Sequence, residues 1–88
     1  EDVDLLSRLK EGVMRGGPAT IGEEGVRAMF EQGRVETLIL RPRDGDTERA
    51  EMHNQLVLIA QGYGTEVAFV DEPGVLAETD GVGALLRW

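Results

Sequence analysis

The sequence predicts an α/β protein, a three-layer α/β/α sandwich around a small mixed four-stranded sheet whose last strand runs antiparallel to the others. Three observations carry that prediction. Helical and extended patterns alternate along the chain with short connections, as happens when helices cover both faces of a sheet. Val35-Glu36-Thr37-Leu38-Ile39-Leu40 is a β-branched, apolar run with few breaks, the composition of a strand covered on both faces. Gly81-Val82-Gly83-Ala84-Leu85-Leu86-Arg87-Trp88 is a second apolar run, too short for a stable helix. Its two opening glycines admit a neighbouring backbone, which suits a strand inside a sheet.

Taken in order, Leu5, Leu6, Leu9 and Val13 recur at helical spacing over residues 2 to 15, with Arg8, Lys10 and Glu11 turned away. Asp2 or Asp4 can cap this first helix, and Arg15-Gly16-Gly17-Pro18 stops it. Pro18 to Ile21 is a short first strand. Thr20 and Glu23 have the spacing of a capping box, so a second helix is expected behind them, with Val26, Met29 and Phe30 on one face and Gly33 at its close. The strand Val35 to Leu40 follows.

Residues 41 to 47, rich in charge and holding Pro42 and Gly45, form an exposed loop. From Thr47 to about Gln61, Met52, Leu56, Ile59 and Ala60 keep helical spacing, and Gly62-Tyr63-Gly64 ends the element. Thr65 to Val70 is the third strand, Asp71 to Gly74 a turn, and Val75 to Thr79 a single helical turn leading into the final strand. The first three strands should be mutually parallel through right-handed crossovers. The link into the fourth is too short for a full crossover, which makes that strand antiparallel.

Length and composition allow one core. With 88 residues, 41% apolar and 30% charged, the chain has the make-up of a small globular domain. It begins at Glu1 rather than Met, from which we expect one domain, residues 1–88, of a longer protein. A net charge of −8 opposes a phosphate backbone, which disfavours direct nucleic-acid binding, and instead favours solubility or steering toward a basic protein surface. Without cysteine, neither a disulfide framework nor a zinc finger can form. No apolar stretch approaches the roughly 20 residues of a membrane span, so the expectation is a soluble, cytoplasmic protein.

No catalytic, metal or cofactor set can be assembled from the residues. Asp44, Asp46 and Glu48 alternate as calcium-loop ligands do, but Arg49 stands where such a loop needs glycine and Gln55 where it needs glutamate. His53 is the single histidine and has no cysteine or second histidine to work with, so it reads as a helix-surface residue. Gly81-x-Gly83 lacks the third glycine and the following helix of a dinucleotide fingerprint. Glu23 and Glu24 are accounted for by the dipole of a first helical turn. Tyr63 and Trp88 are the large amphipathic side chains, suited to anchoring a partner or to packing at the rim of the core, and the loop bearing Arg41 and Arg43 is a second candidate contact surface or a solvated loop.

The segment from Glu24 to Leu40, with the closing Gly81-Val82-Gly83-Ala84-Leu85-Leu86-Arg87-Trp88, resembles the third domain of the eukaryotic and archaeal class-one release factors and of their relative Pelota. In that family a helix ending in Gly, a small or basic residue, Val, an acidic residue, Thr and Leu feeds a strand. The domain closes on a Gly-Ile/Val-Gly/Ala-Ala/Gly-Leu-Leu-Arg-Tyr strand. The acidic composition, short loops and Trp88 in the tyrosine position look closest to bacterial relatives. The resemblance implies a mixed four-stranded sheet shared with kink-turn-binding ribosomal proteins, its last strand interior. It also implies a non-catalytic role at the ribosome, docking a translational GTPase, either a release-factor GTPase or one like elongation factor Tu, in termination, rescue or hibernation. Partner contact is expected at Gly81, Val82, Gly83, Trp88, Tyr63, Arg41 and Arg43.

Two departures bear on function. Gly16-Gly17 is followed by Pro18, not glutamine, so the peptide-releasing loop of the family is absent from this stretch. The alternative role, an RNA-binding module of the kink-turn class, would call on an Asn-Glu pair and a lysine at the first strand-to-helix turn. Gly22-Glu23-Glu24 and Arg27 keep only fragments of that pattern.

Overall fold

The computed structural model describes residues 2–88, apart from the side chains of residues 2, 3 and 78. Its elements are α1 (Asp2–Met14), β1 (Ala19–Ile21), α2 (Glu23–Glu31), β2 (Val35–Leu40), α3 (Thr47–Tyr63), β3 (Glu66–Phe69), a 3₁₀ turn (Gly74–Glu78) and β4 (Val82–Leu86). The four-stranded sheet has the order β1-β4-β2-β3. β4 runs antiparallel to β1 and β2, and β2 pairs parallel with β3, so the first three strands share one direction and the last is interior.

Alternation along the central strands divides the core between two faces. Val82, Ala84 and Leu86 join Leu38 and Leu40 under α2 and α3, which contribute Val26, Phe30, Leu56 and Ala60. Leu85 and Ile39 point the other way, onto Leu6 and Leu9 of α1, Leu76 of the 3₁₀ turn and Val70. A register shift opposite Leu86 and Leu85 sets one extra residue, exposed Glu36, between Val35 and Thr37. That bulge turns Val35 onto the same face as Leu38, although three positions separate them.

The interior strand is hydrophobic on both faces and small where it must be. A Cβ on Gly83 would lie 2.6 Å from Leu9 Cδ2 and 3.2 Å from Leu76 Cδ2, so the missing side chain is what lets α1 and the 3₁₀ turn rest on the sheet. Gly81 has φ +77 and would place a Cβ 2.5 Å from the Arg41 carbonyl oxygen, so both its backbone conformation and its surroundings demand glycine.

Several expectations change at the element ends. Thr20 lies in β1, and α2 begins after Gly22 with no side-chain cap from its own segment, so the expected Thr20–Glu23 capping box does not form. The capping role expected of Asp2 lies outside the described side chains, and Asp4 sits inside α1 rather than before it. α3 continues through Gly62 to Tyr63 before Gly64, at φ 67, ends it. The final strand is Val82–Leu86, flanked by Gly81 on one side and Arg87 and Trp88 on the other. His53 is the clearest correction: it is buried, 5% exposed, under the loop that enters β4.

Candidate functional site

The fold sorts the expected contact residues to opposite ends of the sheet. Tyr63 and Trp88 lie where β2 starts and β4 finishes. Arg41, Arg43 and Gly81 lie where β2 finishes and β4 starts, with the Arg41 N–H donating to the Gly81 carbonyl at 2.8 Å. Gly81, Val82 and Gly83 are buried, which corrects their expected place on a contact surface: the Arg41 carbonyl and the Arg49 guanidinium crowd Gly81, and Val82 and Gly83 lie in an interior strand. Arg43 is exposed on its loop and Arg41 is partly buried.

At the first end, Tyr63 projects from the last turn of α3 and its ring stacks on Phe30 at 5.8 Å between centroids and 28° between planes. The stack anchors the inner part of the ring while the side chain stays 51% exposed. Trp88, 62% exposed, is held by Arg34 in two ways. The guanidinium lies 5.6 Å from the ring centroid, and its Nη2 donates to the Trp88 carbonyl at 2.6 Å. A cleft of about 60 Å³ lined by Phe30, Gly33, Val35, Tyr63, Thr65 and Arg87 lies at this end of the sheet. The combination is two exposed, positioned aromatics with two arginines, the side-chain types that concentrate binding energy at protein interfaces.

The opposite end is a network of charged groups that sequence reasoning did not assemble. Arg49 Nη1 and Nη2 donate to the carbonyls of Arg41 and Thr79, each at 3.2 Å. Asp46 caps α3, accepting from the Arg49 N–H at 2.9 Å, so the residue weighed as a calcium ligand already serves the helix. Asp80 Oδ2 accepts from the Glu23 N–H at 3.2 Å and caps α2 from across the fold. His53 Nε2 lies 3.2 Å from the Asp80 carbonyl, which can only accept, so the proton sits on Nε2. Burial holds the His53 pKa below its ordinary 6.5, and the Arg49 charge acts in the same direction; the bond to the Asp80 carbonyl and the charges of Asp80 and Asp46 oppose them.

A crevice of about 250 Å³ lies over this network, lined by Glu23, Asp46, Glu48, Arg49, Met52 and Asp80. Among the described residues no group of three His, Cys, Asp or Glu side chains is arranged to hold a metal. At the turn compared with kink-turn binders, Arg27 Nε pairs with Glu23 at 2.7 Å and its Nη2 donates to Gln55 at 2.8 Å. That cation is therefore engaged within the fold. Asp80 was missed, and His53 was misplaced on the helix surface, because the bonds Asp80–Glu23 and His53–Asp80 join positions far apart in the chain, where no local spacing marks them.

These features define a small α/β domain with a mixed sheet, a last strand threaded between two others, and an aromatic and arginine patch at one end. No family model and no curated protein matches the sequence, whereas 36 chains of solved structure match the fold. Pelota from Archaeoglobus fulgidus matches with a TM-score of 0.79 at 25% identity, over 99% of this chain and 29% of that one. The archaeal translation termination factor aRF1 matches with a TM-score of 0.74 at 27% identity, over 99% of this chain and 25% of that one. Pelota from Thermoplasma acidophilum has the same fold, with a TM-score of 0.76 at 21% identity over 99% of this chain and 28% of that one. The chain thus spans less than a third of the length of the proteins it matches, and is similar to one domain of Pelota and of aRF1. No helix among the described residues is long and apolar enough to cross a membrane.

Proposed function

We propose that this chain is the C-terminal, non-catalytic interaction domain of a release-factor or Pelota-like translation factor, closest to the bacterial members, that docks a translational GTPase at the ribosome. The setting is the cytoplasm, and the process is termination, rescue or hibernation. The observation that supports this reading is the match of essentially the whole chain to one domain of Pelota and of the archaeal termination factor. The docking surface is the Tyr63 and Trp88 end, where both rings are exposed yet already fixed by Phe30 and Arg34, so little side-chain freedom is lost on binding. A net charge of −8 steers the domain toward a basic partner. The non-catalytic part of the reading rests on the titratable groups: His53, Asp80 and Arg49 are spent on holding the fold.

The test is a pull-down with the full-length protein from purified ribosomes and translational GTPases. The GTPase, of the elongation factor Tu or release-factor type, should be retained. Tyr63→Ala or Trp88→Ala should weaken retention by about thirtyfold if either ring is an energetic anchor of about 2 kcal/mol. Recovery of neither GTPase nor ribosome would refute the reading.

A further inference from the structure

Strand order leaves β3 with a single neighbour, β2. The ladder fixes which groups face outward. The Val70 N–H donates to the Leu40 carbonyl at 2.9 Å, and in a parallel pair only alternate residues bond to a given neighbour, so the N–H and C=O of Val67 and Phe69 point away from β2. Period-two alternation puts both side chains on the face covered by α3, where Val67 packs against the core and Phe69 is 59% exposed.

Exposed edges are usually blunted by lysine, proline or a bulge. Glu66-Val67-Ala68-Phe69 has neither lysine nor proline, and the register shift of the sheet lies between β2 and β4. The opposite edge is different. β1 has three residues, all partly buried, and α1 comes so close that a Cβ on Gly12 would lie 2.6 Å from that of Ala19. The open edge therefore presents two residues' worth of unpaired backbone beside an exposed aromatic ring.

Charge selects the occupant. Glu66 opens the strand and Asp71 and Glu72 follow it, all exposed, while Arg41 is engaged at the Asp71 carbonyl at 3.0 Å. A second copy would set like-charged ends, and a net charge of −8, against their own equals. A basic segment would be attracted to the same ends. We infer that β3 is a strand-addition site for an extended basic peptide: it adds as a fifth strand, exchanges hydrogen bonds with Val67 and Phe69, and lays an apolar side chain against the Phe69 ring. The inference does not depend on the GTPase reading, whose residues lie at Tyr63 and Trp88.

The test titrates the ¹⁵N-labelled chain with the blocked peptide RTVTVTR and, as control, ETVTVTE, following amide shifts and hydrogen exchange. The basic peptide should shift the β3 amides and slow exchange at Val67 and Phe69 by about tenfold or more, and the acidic peptide should do neither. Phe69→Lys and the pair Glu66→Lys with Glu72→Lys should each weaken binding by about tenfold while leaving the rest of the spectrum in place. The inference is overturned by no response up to about 1 mM peptide, which corresponds to about −4 kcal/mol. It is overturned equally by shifts centred on Tyr63 and Trp88, by equal binding of the acidic peptide, or by a peptide-free dimer that protects the β3 amides, which would give the edge to a second copy.

Discussion

The Asp80 carboxylate accepts a hydrogen bond from the backbone N–H of Glu23 at 3.2 Å, across 57 positions of sequence. α2 is therefore capped by the loop that leads into β4, and the first turn of a helix is tied to the seating of the last strand. The Asp80 carbonyl meanwhile accepts from His53, so one residue joins α2, α3 and β4.

Replacing Asp80 by alanine should destabilise the chain by about 0.5–2 kcal/mol, the range of a lost helix cap. Asp80→Asn should cost less, since asparagine caps a helix about as well. Urea midpoints of the two variants give the comparison, and equal losses would mean that charge rather than the cap bond matters.

His53 should titrate below 6.5 in the folded chain, because burial disfavours its cation. The unfolded chain then takes up the proton more readily, so the histidine's contribution is complete above about pH 6.5 and is lost as pH falls toward the lowered folded value. The imidazole proton shift read by NMR checks the midpoint, and a value at or above 6.5 contradicts it. His53→Gln should remove this part of the fall in urea midpoint between about pH 7.5 and 5.5 and leave the carboxylate part.

Gly83→Ala drives a methyl into Leu9 and Leu76 and should cost about 1–3 kcal/mol. Combining it with Leu9→Ala should cost less than the sum of the two single changes, because one void accepts the other's methyl. Strict additivity in the denaturation cycle would show that the sheet, not the helix, moves to make room.

Leu86 and Trp88 are two residues apart and should behave oppositely. Leu86→Ala empties a site that is 8% exposed and should cost roughly 2–5 kcal/mol. Trp88→Ala removes an exposed ring and its contact with Arg34, about 0.5–1 kcal/mol. Comparable losses in a denaturant titration would move Trp88 into the core.

The parts of the fold that were legible are those written in local periodicity. Leu5, Leu6, Leu9 and Val13 mark one face of α1, Val26, Met29 and Phe30 one face of α2, and Met52, Leu56, Ile59 and Ala60 one face of α3, because burial repeats with the helix turn. Val35–Leu40 was readable residue for residue since both its faces are covered. What depends on contact across the sheet was not readable. The α2 cap comes from Asp80 rather than Thr20, and His53 is covered by a loop 27 positions away. The contact residues had the same difficulty: a list taken along the chain held both ends of the sheet, and three of its members, Gly81, Val82 and Gly83, lie within the fold. Tyr63 and Trp88 were legible as large amphipathic side chains, but their exposure and their anchoring by Phe30 and Arg34 required the fold.

The position of β4 also bears on synthesis. β1 and β2 flank it and pair with it rather than with each other. On a growing polypeptide, β2 and β3 can pair early, but β1 has no place in the sheet until residues 82 to 86 have been made. Neither hydrophobic cluster closes before then, since Val82, Ala84 and Leu86 belong to one and Leu85 to the other. Joining segments so distant in sequence is the slow kind of step in folding. A chain that stops at Asp80 therefore keeps both cores open, and the domain acquires its shape only once its final strand is free to enter the sheet.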